Sequence, residues 1–134
     1  MTNQQRDPTA CTVLYKILTP AEVDAMPPTG WTGTSLDRKD GFIHLSSADQ
    51  LPGTLERFFG PSSGVGDVLH IYALPRSQLD RQRDVPARLQ FDPAIGTFFG
   101  HIYGPIDPSI DFASSQEIRR DGPNGTFTLG SLTF

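Results

Sequence analysis

A chain of 134 residues is long enough to bury one real core, and its formal charge of −4 leaves no basic stripe for neutralising nucleic-acid phosphates. The single cysteine, Cys11, excludes an internal disulfide and a cysteine-rich metal cage, and no apolar run approaches the roughly 20 residues of a membrane helix. A cytoplasmic protein without nucleic-acid or membrane partners is the expectation, and 13 glycines with 12 prolines predict short strands and turns over long helices.

Residues 1–10 are polar, carry no hydrophobic period and read as a flexible arm, and residues 11–134 read as a single compact domain. Cys11 to Leu18 is apolar and β-branched enough for a strand buried on both faces. Lys16 interrupts the face of Leu14 and Leu18, which an edge position would explain if its ammonium snorkels to water. Thr19 as cap, Pro20 at the first position and Glu22 at the third predict a helix that ends before Pro27-Pro28. Thr29 to Asp37 reads as a loop of small polar residues around Trp31. The indole can wall a ligand pocket or lid the core with its N–H satisfied locally.

Asp40-Gly41 is strong turn chemistry, and Phe42 to Ser46 then forms a short strand. Alternation sends Ile43 and Leu45 to the core and leaves Phe42, His44 and Ser46 on the other face. His44 is therefore a half-buried imidazole close to a hydroxyl, placed for chemistry or for a structural bond to a backbone carbonyl. After a turn at Ser47 to Gln50, a helix is predicted from Pro52 to Phe59 with Leu55, Phe58 and Phe59 as its stripe. Asp67 to Leu74 is the clearest strand and reads as central, with His70 a structural residue on it. A helical turn at Pro75 to Leu79, a charged loop at Asp80 to Pro86 and a strand from Ala87 that stops at Asp92-Pro93 come next. In Thr97 to Pro105, His101 and Tyr103 share a face, and Gly100 and Gly104 allow close backbone approach. Ile110 to Arg120 and Thr126 to Leu129 read as hairpin arms across Asp121 to Gly125.

Tyr15-Lys16-Ile17, Trp31, Asp40-Gly41-Phe42-Ile43-His44-Leu45-Ser46, Gln50, Phe58-Phe59 and Gly100-His101-Ile102-Tyr103-Gly104-Pro105 occur in that order. Together, over about Tyr15 to Asp107, they resemble domain-of-unknown-function family 952. The resemblance implies an α+β domain like the ADP-ribosyltransferase fold: a split, mostly antiparallel β core with short helices, whose cleft holds NAD in catalytic relatives. It also implies a role for Asp92 as stand-in for a family carboxylate, since family members often carry Trp-Glu where Phe91-Asp92 falls.

The three histidines are widely spaced, which argues against a metal site. His44 and His101 each precede a hydroxyl on their own strand face, Ser46 and Tyr103. Should both strands face one cleft, two imidazoles could do acid/base work near neutral pH. The first reading is a small-molecule enzyme of isomerase, lyase or cyclase type that requires no cofactor. His44 and His101 would be catalytic, and Lys16, Trp31, Ser46, Asp92 and Tyr103 would bind substrate. A second reading has NAD or ADP-ribose bound or cleaved, with Asp92 supporting ribosyl transfer. A third is a non-catalytic ligand- or protein-binding domain that uses the Trp31 loop and Phe98-Phe99.

Overall fold

The computed structural model describes residues 5–79, 84, 88–122 and 125–134. Among these, six strands form two antiparallel sheets. β1 (Val13–Leu18), β3 (Val68–Pro75) and β6 (Ser114–Arg119) make the first, with β3 central as its alternation requires. β2 (Ile43–His44), β4 (Leu89–Ala94) and β5 (Thr97–Ile102) make the second, in the order β2-β5-β4. The chain is thus α+β, with few and short helices, and none of the described helices is long and apolar enough to cross a membrane.

The sheets are joined where Tyr15 N–H donates to Ser46 O at 2.7 Å and Ser46 N–H to Tyr15 O at 2.9 Å. β1 is therefore covered on the side where an exposed edge was expected, and Lys16, 5% exposed, does not snorkel to water. The strand is buried on both faces. Leu14 and Leu18 pack with Trp31, Ile43, Leu45 and Ile102, while Tyr15 and Ile17 pack with Leu51, Leu55 and Ile71 on the other side.

Thr19 and Glu22 form a reciprocal capping box that starts α1 (Pro20–Ala25). A second box, Thr34 with Asp37, starts α2 (Ser35–Asp40) inside the stretch read as a loop. Gly41, at φ 89°, ends α2 in the left-handed region and turns the chain into β2. Trp31 takes the core position, 5% exposed, bridged to Ile106 and set edge-on to Phe112. α3 (Leu51–Phe58) buries Leu51 and Leu55, and Phe59 at its end packs against the same cluster, so of the predicted stripe only Phe58, 57% exposed, falls outside it. α4 (Arg76–Leu79) is the predicted single turn.

β4 continues through Asp92-Pro93 instead of stopping there, because it is an edge strand and a proline costs no ladder bond on its open side. Ile110 lies in α5 (Pro108–Asp111), so the first arm of the last hairpin begins only at β6. Its return is a bridge from Arg120 to Phe127. The charged loop at Asp80 to Pro86, apart from Asp84, and Asn124 of the turn lie outside the described residues. At the other end, Arg6 pairs with Asp49 at 2.7 Å, and a 3-10 turn at Pro8–Ala10 leads into β1.

Arg120 is the main tie between these connections. Its side chain is 3% exposed, stacks 4.4 Å from the Phe127 ring centroid and donates to the carbonyls of Phe59, Gly66 and Gly125. Replacing it with methionine keeps an apolar stem but removes the guanidinium and strands three acceptors. Arg120→Met should cost about 2–4 kcal/mol, read as a lower urea midpoint with an unchanged slope.

Candidate functional site

The Thr34 capping box places Asp37 in the first turn of α2, and there its carboxylate turns inward, 1% exposed. Oδ2 accepts from Thr34 N–H at 2.9 Å and from Lys16 Nζ at 2.7 Å. Oδ1 accepts from Lys16 Nζ at 2.9 Å, from His44 N–H at 3.2 Å and from His44 Nδ1–H at 2.6 Å. Gly33, at φ 98°, is needed beside it, because a Cβ there would lie 2.4 Å from the Asp37 Cβ. Lys16 Nζ spends another hydrogen on the His44 carbonyl at 3.0 Å. One buried cation and one buried anion therefore fasten β1, α2 and β2 together.

Burial pushes the Asp37 carboxyl up, but the hydrogen bonds from His44 and Lys16 outweigh it and lower its pKa from the ordinary 3.8 to about 2. Burial pushes the Lys16 ammonium down, against the pull of Asp37. The second nitrogen of His44, Nε2, lies 3.0 Å from Asp40 Oδ2. Each ring nitrogen thus faces a carboxylate oxygen. A doubly protonated ring donates to both, and a neutral ring can donate to only one.

Antiparallel pairing sets His44 directly opposite His101, with ring centroids 5.4 Å apart at 75°. His101 Nδ1 lies 2.7 Å from Asp92 Oδ2. An ionised carboxylate only accepts, so the proton is assigned to Nδ1 and Nε2 keeps its lone pair. No group among the described residues hydrogen-bonds that Nε2. The Tyr103 hydroxyl donates to the same Asp92 oxygen at 2.6 Å. Burial lowers the pKa of His101 from 6.5, opposed by Asp92, so the ring is neutral near pH 7. Hydrogen bonds from Tyr103 and His101 hold Asp92 below the usual carboxylate range, and Asp92 in turn raises Tyr103. Phe42 stacks on His101 at 4.0 Å and 21°, with the His44 and Tyr103 rings at 4.7 and 5.3 Å.

Of the residues singled out from sequence, His44, His101, Asp92 and Tyr103 come together in this cluster. Lys16 reaches it only through Asp37 and the His44 carbonyl. Ser46 and Trp31 lie apart: the Ser46 hydroxyl bonds Thr54 of α3 at 3.1 Å, and Trp31 is in the core. His70 sits on β3 opposite Leu18 and Glu117, away from the other two. Sequence reasoning missed Asp37 and Asp40 as partners of His44. Thr34 three residues before Asp37 was the available signal for the first. Among the described residues no group of three or more His, Cys, Asp or Glu side chains is arranged to hold a metal ion.

Fold and site together define a small two-sheet α+β domain carrying a pair of carboxylate-bound histidines. The chain belongs to the family described as "Protein of unknown function (DUF952)", whose profile matches residues 17–110. It is similar to protein CC0527 from Caulobacter crescentus. The X-ray structure of that protein aligns with a TM-score of 0.67 at 26% identity, covering 86% of this chain and 93% of that one. Its solution NMR structure gives 0.64 at 26% identity, covering 85% and 90%. No curated protein matches the chain.

Removing the Asp37 charge leaves Lys16 buried without its counter-ion. Asp37→Asn should therefore cost about 3–5 kcal/mol of stability, measured by urea unfolding at pH 7. The carboxyl binds a proton less readily folded, at about 2, than at its ordinary 3.8. Its stabilisation is thus full above the ordinary value and is lost as pH falls from 3.8 towards 2. Wild-type stability should drop across that window, and the drop should be smaller in Asp37→Asn.

Proposed function

We propose that this chain is a small-molecule enzyme of isomerase, lyase or cyclase type, with His101 as general base and His44 as general acid. The observation that carries the reading is the opposition of the two rings across β2 and β5, each oriented by carboxylates but in different ways. His101, held from one side by Asp92, keeps a lone pair on Nε2 with which to take a proton. His44, held from both sides, is set up to donate. Its partners differ in exposure: Asp40 is 36% exposed and Asp37 1%. A substrate oxygen can therefore replace Asp40 at Nε2 while Asp37 keeps the ring in place. Proton removal at one atom and delivery at another needs no cofactor. The reading is of a cytoplasmic enzyme, which a lone buried thiol at Cys11 suits.

The resemblance to the ADP-ribosyltransferase-like fold, taken from the sequence motifs, supplies a second reading, the binding or cleavage of NAD or ADP-ribose. The split into two antiparallel sheets favours it. The Asp92 oxygen that would support ribosyl transfer is engaged by both His101 and Tyr103, which favours the first. Calorimetric titration with NAD and ADP-ribose separates the two, since heat at millimolar ligand belongs to the second reading alone.

The test of the first is a metabolite-mixture screen by chromatography coupled to mass spectrometry, which separates isomers of equal mass, for compounds that the wild type consumes. His44→Ala and His101→Ala should each lose about 100-fold or more in turnover while staying folded at the assay temperature, with His44→Ala melting lower because it removes a hydrogen bond that buried Asp37 accepts. The rate should fall on acidification below pH 6.5, as His101 gains a proton. Turnover that survives both substitutions would rule the reading out, and variants that fail to fold would return both rings to a structural role.

A further inference from the structure

Beside the histidine pair lies a recess of about 320 Å³ whose lining includes Thr32, Asp37, Arg38, Phe42, Ile43 and Ile102. That is the small end of the usual range for small-molecule pockets, about 300–1,000 Å³. It shares Asp37 and Phe42 with the histidine cluster, so a molecule seated there is one side chain away from both rings. Ile43 and Ile102 lie beneath it, 1% and 0% exposed, and the half-buried Phe42 ring offers the apolar surface for stacking.

The charges around the recess are unequal in their pairing. Asp37 is already matched by Lys16 and His44. Arg38 donates to two neutral groups, the Gly33 carbonyl at 2.7 Å and the Ser35 hydroxyl at 3.5 Å. Among the described residues no carboxylate forms an ion pair with Arg38. A guanidinium held by a neutral carbonyl at the wall of a recess is set to take one anionic group in a charge-assisted hydrogen bond. Asp37 in the same wall, with Asp40 close by on α2, works against a second negative charge.

We infer that this recess binds a small carboxylate monoanion with a flat apolar body, its carboxylate on Arg38 and its body against Phe42. The site rests on Arg38 and Phe42 and not on the proposed function, since neither imidazole lines the recess.

The test is an NMR titration of the full chain, following backbone amides, with benzoate, its neutral counterpart benzamide and the dianion phenyl phosphate as probes. Benzoate should shift the amides of Gly41, Phe42 and Gly104 around the recess, and benzamide and phenyl phosphate should each bind about tenfold more weakly. Arg38→Gln can still donate to the Gly33 carbonyl but has lost the charge, and it should weaken benzoate by about the same factor. Arg38→Lys should recover part of the loss. Equal binding of benzoate and benzamide, tighter binding of phenyl phosphate, shifts confined to another face, or an unchanged affinity in Arg38→Gln would each overturn the site. Because binding is read without turnover, benzoate binding as expected supports the site even if the metabolite screen finds no reaction.

Discussion

The structure depends on the buried charge pair between Lys16 and Asp37 and on the third group, His44, that the pair holds. β2 is a two-residue strand and could not hold its place by ladder bonds alone. It is fixed because Asp37 accepts from both the backbone and the ring of His44, while Lys16 donates to both Asp37 and the His44 carbonyl. Burying two such charges is costly, and a well-packed apolar pair could be as stable. What the charges provide and an apolar pair would not is direction: they fix which way one imidazole points.

The two imidazoles then differ for a reason that lies in their surroundings. His101 is 7% exposed, stacked under Phe42 and bonded to one carboxylate, so burial dominates and favours the neutral ring. His44 is more open, with its side chain 32% exposed, and has a carboxylate at each nitrogen. The two rings of one pair thus meet different partners and different degrees of burial. Asp92 completes the arrangement by accepting from Tyr103 as well, which ties His101, its orienting carboxylate and a hydroxyl into one line of hydrogen bonds.

Much of this was legible in the sequence wherever the deciding physics is local. β1, α1 and β3 follow from apolar runs, a capping box and strict alternation, and the same alternation put His101 and Tyr103 on one face. α2 was not legible because its only buried side chain is a carboxylate, with Leu36 54% exposed, so the helix has no apolar stripe to read. The inward turn of Asp37 depends on a lysine 21 residues earlier on another strand, which no local pattern reports. Ser46 shows the limit of alternation. After Leu45, whose N–H still donates to Gly100 of β5, the chain takes β1 as its partner, and Ser46, bridged to Tyr15, turns its hydroxyl to α3.

The opposed imidazoles are separately oriented, with His101 presenting a free lone pair. Ring nitrogen-15 chemical shifts at pH 7 test this arrangement most directly. His101 should appear as the neutral tautomer with its hydrogen on Nδ1 and an unprotonated Nε2, together with ring-to-ring proton cross-peaks between His44 and His101. A His101 hydrogen on Nε2, or no cross-peaks between the two rings, would contradict it.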